Sequence, residues 1–191
     1  MKYLIGKFWL WINGWKIEMN VEPEEVRRSV MVAAPHTSNW DFIYAIAAFW
    51  SMRINLHFFI KDDYTRSLFG WFFKWMGGLG VDRSKKNELV EKAIHILNQK
   101  EDIVILVPAE GTRKRTEKWR SGFYNIAKGA QVPISLGFLD YKKKIAGVAK
   151  TIRPTDDFEK DMSSIEKVYL KYTGKNPELY NPVIFIRKKD V

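Results

Sequence analysis

The sequence predicts an α/β fold: a largely parallel mixed sheet flanked by helices, with an amphipathic helix at the amino terminus. Two observations carry this. Short continuous apolar runs of strand length alternate with longer stretches of helical spacing, the order that builds a mostly parallel sheet. Of the 191 residues, 46% are hydrophobic, enough for one domain over residues 1–191 with a sizeable core.

Each element has its own signal. Val30–Ala34 is an apolar run closed by Pro35 and reads as a buried strand. Asp41–Met52, apolar and rich in alanine, reads as a helix. Leu56–Ile60 reads as a strand and Asp62–Met76 as a helix, despite Gly70 in its interior. Glu88–Gln99 has helical spacing through Leu89, Ala93, Ile96 and Leu97. The run "DIVILVP", residues 102–108, is the clearest buried strand. Phe123–Ala130 reads as a short helix, Val132–Leu139 and Lys144–Lys150 as strands, and Phe158–Tyr172 as a helix after the turn "RPTDD". In such sheets ligands bind beyond the carboxyl ends of the strands. Two polar stretches sit there: "HTSNWD" after Ala34, and "AEGTRKR" after the run ending at Pro108.

Composition excludes several chemistries. The chain has no cysteine, which removes disulfides, thiolate nucleophiles, acyl-cysteine intermediates and cysteine-type zinc sites. The absence fits a cytosolic compartment. A formal net charge of +10 favours anionic partners: nucleic acid, acidic lipid head groups, phosphorylated metabolites or an acidic carrier protein. Eight tryptophans and twelve phenylalanines accompany that charge. Bases stack on aromatics, and tryptophan also prefers the membrane–water boundary. A nucleic-acid binder and a membrane-surface protein are both open at this point.

The segment "MKYLIGKFWLWINGWKIE" is too short and too early interrupted, at Lys7, to span a bilayer, which takes about 20 apolar residues. No small-residue cleavage site follows it, so no removable signal peptide is expected. Wound as a helix over about residues 1–20, Leu4, Phe8, Trp11 and Trp15 fall in one arc of roughly 60°, with Ile5 and Ile12 extending it. Lys2, Gly6, Asn13 and Lys16 lie away from that arc. This pattern suits a helix lying in a bilayer interface, or one packed on its own domain. The second aromatic stretch, "LFGWFFKWMGGLGV" at residues 68–81, suits either a buried helix or a membrane-dipping one.

His36 and Asp41 are the candidate catalytic pair. In one reading Ser38 caps the helix that starts at Asn39, and Asp41, three residues on, completes a capping box. In the other, Asp41 orients His36. Positions five apart on a regular helix point about 140° away from each other. The two can therefore meet only if His36 precedes the helix and Asp41 lies in its first turn. A carboxylate on one ring nitrogen would set the tautomer and leave the other nitrogen free to take a proton. No GxSxG elbow is present. With no cysteine either, the base should activate a substrate hydroxyl rather than a protein nucleophile. His57 and His95 show no metal-ligand spacing with His36, so no metal is expected.

On these residues the sequence resembles the lysophosphatidic acid and glycerol-phosphate acyltransferases of phospholipid synthesis. Their first block, histidine, four residues, aspartate, is matched by His36 and Asp41. Their second is matched in part by "GGLGVDR": Gly77, Val81 and Arg83 fit, and Gly80 replaces a phenylalanine. The third, proline then EGTR, appears as "PAEGTR": Glu110, Gly111, Thr112 and Arg113 match, with Ala109 in the proline's place. The fourth is matched only at Val132, Pro133 and Ile134.

The resemblance implies that His36 is a general base oriented by Asp41. It implies direct attack of an acceptor hydroxyl on an acyl thioester, with acyl-CoA or acyl carrier protein as donor and no cofactor. It further implies that Arg83, Glu110, Gly111, Thr112 and Arg113 bind the acceptor, a lysophospholipid such as lysophosphatidic acid. Arg83 and Arg113 suit a phosphate, because a guanidinium offers paired donors to its oxygens. Glu110 would accept from an acceptor hydroxyl or brace an arginine, and Gly111 permits close backbone approach. Lys114, Arg115 and Lys118 are either a solvated basic loop or a surface for anionic lipid or a phosphorylated carrier. The implied location is the cytoplasmic face of the membrane, peripheral or monotopic. Other acceptors remain open: another hydroxylated lipid, or water in a thioesterase. A basic nucleic-acid-binding protein stays as the competing class, although the usual motifs are missing.

Overall fold

Val30, Val32 and Ala34 point to one side of their strand and Met31 to the other, and all four are buried. A strand buried on both faces belongs inside a sheet covered by helices on each side. That is the arrangement in a computed structural model of the chain, which describes residues 1–82 and 86–185, with nothing of the side chains at 86 and 87.

The strands are β1 (Lys16–Met19), β2 (Arg28–Ala34), β3 (Leu56–Lys61), β4 (Gly78–Val81), β5 (Ile103–Leu106), β6 (Ile134–Asp140) and β7 (Ile145–Ile152). The helices are α1 (Lys2–Ile12), α2 (Pro23–Val26), α3 (Trp40–Ser51), α4 (Asp62–Arg66), α5 (Gly70–Met76), α6 (Lys86–Gln99), α7 (Gly122–Ala130) and α8 (Phe158–Tyr169). The sheet order is β1-β7-β6-β2-β5-β3-β4. β6, β2, β5, β3 and β4 run parallel, β7 is antiparallel to β6, and β1 is parallel to β7. This is the expected α/β class with a mixed, largely parallel sheet.

The core has two layers. On one side α6, α7 and α8 pack through Ala93, Leu97, Phe123, Ala127, Ile165 and Tyr169 onto Val30, Val32, Ile105 and Ile134. On the other, α1, α3 and α5 bring Leu10, Ala45, Ala48, Phe49 and Met76 onto Met31, Phe58, Val104 and Val148.

Three local expectations change. The amino-terminal helix stops at Ile12, not near residue 20. Asn13 and Gly14 (φ +70°) turn the chain, Trp15 is buried, and residues 16–19 become edge strand β1. The stretch Asp62–Met76 is two helices, broken at residues 67–69. A Cβ on Gly70 would lie 2.1 Å from the Thr65 carbonyl oxygen, so the helices pack closely only because Gly70 lacks one. Gly77, with φ +105°, ends α5 and leads into β4, where no strand was expected. The remaining boundaries move by a few residues.

α1 lies on α3 by the face that carries Gly6, Trp9 and Leu10. A Cβ on Gly6 would fall 2.4 Å from the Ala47 carbonyl oxygen, so the two backbones are in close contact there. The opposite face, Leu4, Ile5, Phe8, Trp11 and Ile12, is exposed. The helix therefore packs on its own protein and presents its apolar side outward. Trp15 does not join that face.

Candidate active site

β2 and its two neighbours, β6 and β5, end at one edge of the sheet, and each sends one group into the site. After β2 the chain passes through a cis Ala34–Pro35 peptide to His36, which precedes α3. Asp41 lies in the first turn of α3. The spacing condition for contact is met: His36 Nδ1 and Asp41 Oδ2 are 3.1 Å apart. The same Oδ2 accepts from the backbone amides of Thr37 (2.8 Å) and Ser38 (2.9 Å). Ser38 Oγ in turn accepts from the Trp40 amide. Asp41 thus ties the turn before α3 to its first turn and faces His36 with the same oxygen. The expected capping box is met only in half: α3 starts at Trp40, its N-cap is Asn39 without a side-chain cap bond, and Ser38 Oγ takes the Trp40 amide rather than that of Asp41.

The His36 side chain is 27% exposed and that of Asp41 is 5% exposed. The histidine can therefore reach a substrate while its carboxylate is shielded. Burial by itself raises the Asp41 pKa. Hydrogen bonds from His36, Tyr141 and the two amides outweigh it and hold the carboxyl below its ordinary value of 3.8. Against an ionised Asp41, a neutral His36 would carry its proton on Nδ1, which leaves the Nε2 lone pair free.

Glu110 follows β5 and is buried. Its Oε1 accepts the His36 backbone amide at 2.9 Å, so it braces the loop that carries the histidine. Burial raises its pKa to about 7, against the stabilising His36 amide. Gly111 has φ +69°, and a Cβ there would sit 2.6 Å from Arg120 Nε. The Arg120 guanidinium therefore lies over this glycine. Thr112 Oγ1 accepts from the Lys114 amide and shapes the loop. Arg113 is exposed on the loop. Arg115 is held by the Tyr180 carbonyl at 2.6 Å. The structure brings His36, Asp41 and Glu110 together, with Gly111 next in the chain. It shows no contact of Thr112 or Arg113 with the dyad. Arg83 lies outside the described residues.

Three contributors have no signal in the sequence. Tyr141, just after β6, donates its hydroxyl to Asp41 Oδ1 at 2.6 Å. Its ring meets Trp15 edge-on, with centroids 4.9 Å apart, and Trp15 also stacks on Tyr44 at 4.6 Å. Asn176 clamps Thr37, its amide to Oγ1 (3.1 Å) and its side chain to the carbonyl (2.9 Å). Arg120 covers Gly111 as described. Among the described residues no group of three or more histidines, aspartates or glutamates is placed to hold a metal ion.

Residues 18–135 match the family model described as Acyltransferase. No curated protein gives a sequence match. Among solved structures, the chain resembles the 1-acyl-sn-glycerophosphate (LPA) acyltransferase PlsC from Thermotoga maritima. The TM-score is 0.62 at 16% identity, over 89% of this chain and 76% of that one. At that identity the likeness bears on the fold.

Proposed function

The chain belongs to the acyltransferase family, and from that premise we propose a membrane-surface enzyme. It moves a fatty acyl group from an acyl thioester to the hydroxyl of a lysophospholipid such as lysophosphatidic acid. The observation that carries this reading is the Asp41–His36 hydrogen bond at the carboxyl edge of the sheet, in a chain without cysteine.

The chemistry follows from the tautomer. Asp41 holds the proton on Nδ1, and Nε2 accepts the proton of the acceptor hydroxyl as its oxygen attacks the thioester carbonyl carbon. The tetrahedral intermediate collapses, the carbon–sulfur bond breaks, and the thiolate takes the proton back from His36. No acyl-enzyme forms, which matches the lack of an elbow serine or a cysteine. Acyl-CoA or acyl carrier protein is the donor.

Glu110 supports the base by fixing the His36 backbone, and Gly111 and Thr112 shape the loop after β5. Arg113, with Arg83 from the second block, binds the acceptor phosphate in this reading. The exposed side of α1, together with Leu68, Phe69, Trp71 and Phe72 around α5, is the surface that meets lipid at the cytoplasmic face. No helix among the described residues is long and apolar enough to cross a membrane. In this reading the exposed apolar faces lie in the bilayer interface. Residues 1–191 act as a single acyltransferase domain.

The test is transfer of labelled acyl groups from acyl-CoA and acyl carrier protein to a panel of acceptors. Lysophosphatidic acid, the matching monoacylglycerol and water should rank in that order. Hydrolysis without transfer would replace this reading by a thioesterase, and no turnover of any thioester would end it.

A further inference from the structure

A cluster of cations sits at the end of α1 and α3 remote from the dyad. Arg53, at φ +58° just beyond α3, places its guanidinium carbon 4.7 Å from the centroid of the Tyr3 ring. Lys7 Nζ lies 5.1 Å from the same ring. Lys2 Nζ lies 5.3 Å from the Trp75 ring and 5.8 Å from that of Trp50. Among the described residues these three cations have aromatic rings as their neighbours and no carboxylate bound to them. Asp102, on the adjoining turn, is bonded elsewhere, with Arg27 at 3.9 Å.

A cleft of about 440 Å³ opens beside Lys2 and Arg53, lined also by Tyr3, Trp50, Ile54 and Asn55; Lys7 is outside the lining and adjoins it through the Tyr3 ring. Small-ligand sites span roughly 300–1,000 Å³. The cleft adjoins the exposed apolar face of α1, and Trp75, beside Lys2, belongs to α5, whose Trp71 and Phe72 are also exposed.

Concentrated positive charge beside an aliphatic and aromatic face is complementary to a phosphodiester at the edge of a bilayer. We propose that Lys2, Lys7 and Arg53, arrayed around Tyr3, Trp50 and Trp75, form a head-group site for an anionic phospholipid. The site is separate from the acceptor site at the other end of the sheet. It deepens the membrane-surface reading and rests on it. Ridged by the apolar face of α1 and anchored here, the protein lies with α1 along the interface. The turn after α1, which carries Trp15 next to Tyr141, then falls near the lipid surface. α1 has 11 residues, so the two ends are roughly 16 Å apart. The occupant is a lipid head group rather than free phosphate because the apolar neighbours would gain nothing from a soluble anion.

The experiment measures partition of the full chain onto neutral phosphatidylcholine vesicles and onto vesicles that also hold phosphatidylglycerol at about 30% by mole. Wild type is compared with the triple variant Lys2→Gln, Lys7→Gln, Arg53→Asn. Asparagine tolerates the left-handed backbone at position 53, and glutamine keeps most of the alkyl stem of each lysine. A charge-matched control removes three exposed cations elsewhere: Lys150→Gln, Lys160→Gln, Lys171→Gln. Each cation near an acidic surface contributes about fivefold. The triple variant should therefore lose on the order of 100-fold of the anionic excess, keep its neutral binding, and retain the wild-type melting temperature. The control should lose much less. Lys7→Gln alone, at an exposed side chain, should lose about fivefold even if the triple variant folds poorly.

Equal losses in control and triple variants would reduce the effect to net charge and overturn the site. So would full release of the wild type by millimolar glycerol phosphate, which would make the ligand a soluble phosphate. Wild type that binds neither vesicle, while still transferring acyl groups to a soluble acceptor, would overturn the membrane-surface reading and this site with it. Wild type that binds neutral vesicles without any anionic excess would overturn this site alone.

Discussion

The Tyr141 hydroxyl donates to Oδ1 of Asp41 across 2.6 Å, while Oδ2 of the same carboxylate faces His36 at 3.1 Å. The Asp41 carboxylate is thus gripped from two sides, by the loop after β2 and by the loop after β6. Tyr141→Phe removes one grip and leaves a buried carboxylate oxygen without its donor, which costs about 1–3 kcal/mol. Asp41 has a folded pKa below its ordinary value. Its contribution is therefore present above the ordinary value and is lost as pH falls through the folded one. Removing the tyrosine hydroxyl raises the folded value, so in Tyr141→Phe the acid-linked loss of stability should be smaller and complete at higher pH, while the acid limb of kcat/KM should move to higher pH. Melting temperature and kcat/KM measured from pH 3 to 8 would check both; unchanged profiles would show the contact to be inert.

His36→Ala should lower kcat by about 10²–10⁴-fold while the protein stays folded and keeps its affinity for lipid. Asp41→Asn should fall within or above that level, because an amide cannot favour the Nδ1–H tautomer as a carboxylate does. Near-normal turnover by a folded His36→Ala protein would remove the base assignment.

Glu110 gives a pH-dependent prediction with the opposite sign. Its pKa rises from 4.5 to about 7 on folding, because burial disfavours the carboxylate. The folded state therefore holds this proton more tightly than the unfolded one. The associated stability is full below pH 4.5 and is lost as pH rises through about 7. Glu110→Gln keeps an oxygen for the His36 amide and removes the charge. The variant should gain on wild type between about pH 5 and 8, by about 3 kcal/mol at most. Urea unfolding at pH 4.5, 6 and 8 reads the difference; a gap that does not grow with pH would contradict it.

Replacing Leu4, Phe8 and Trp11 together by serine should release the protein from neutral vesicles. Burying such side chains contributes about 1.5–3 kcal/mol each. Even half of that over three residues is roughly 50-fold or more in partitioning. Activity on a soluble short-chain acceptor should persist, because these side chains point away from α3. Trp15 is excluded from the set: it is buried against Tyr44 and Tyr141, and its loss should disturb the dyad instead. Retention of the triple variant on vesicles would exclude α1 as the lipid-facing element.

Arg113→Ala should raise the Michaelis constant for a phosphorylated lysolipid by roughly 10- to 150-fold, the loss of a charged hydrogen bond of about 1.5–3 kcal/mol. It should leave the donor's constant nearly unchanged. Lysine at the same position should restore only part, lacking the planar fork. If wild type uses the phosphorylated acceptor and the matching monoacylglycerol equally, the arginine serves another purpose.

The α/β class, the central strands β2, β5 and β6 and the helices between them are legible in the sequence because they rest on local periodicity. Apolar runs and helical spacing are set by residues within a few positions of each other, and burial acts on them directly. His36 and Asp41 are legible for the same reason: five positions and one helix start decide whether they can touch. The contacts that other parts of the chain make with this pair are not, although the EGTR block marks Glu110 itself. Glu110 reaches the His36 amide from 74 residues away and Tyr141 reaches Asp41 from 100. Those distances close only because the strand order β6-β2-β5 sets three loops side by side. The outward turn of the α1 apolar face is likewise a tertiary outcome. Both faces of that helix are consistent with its sequence. Backbone contact at Gly6, where no Cβ intervenes, decided which one met the protein and which was left exposed.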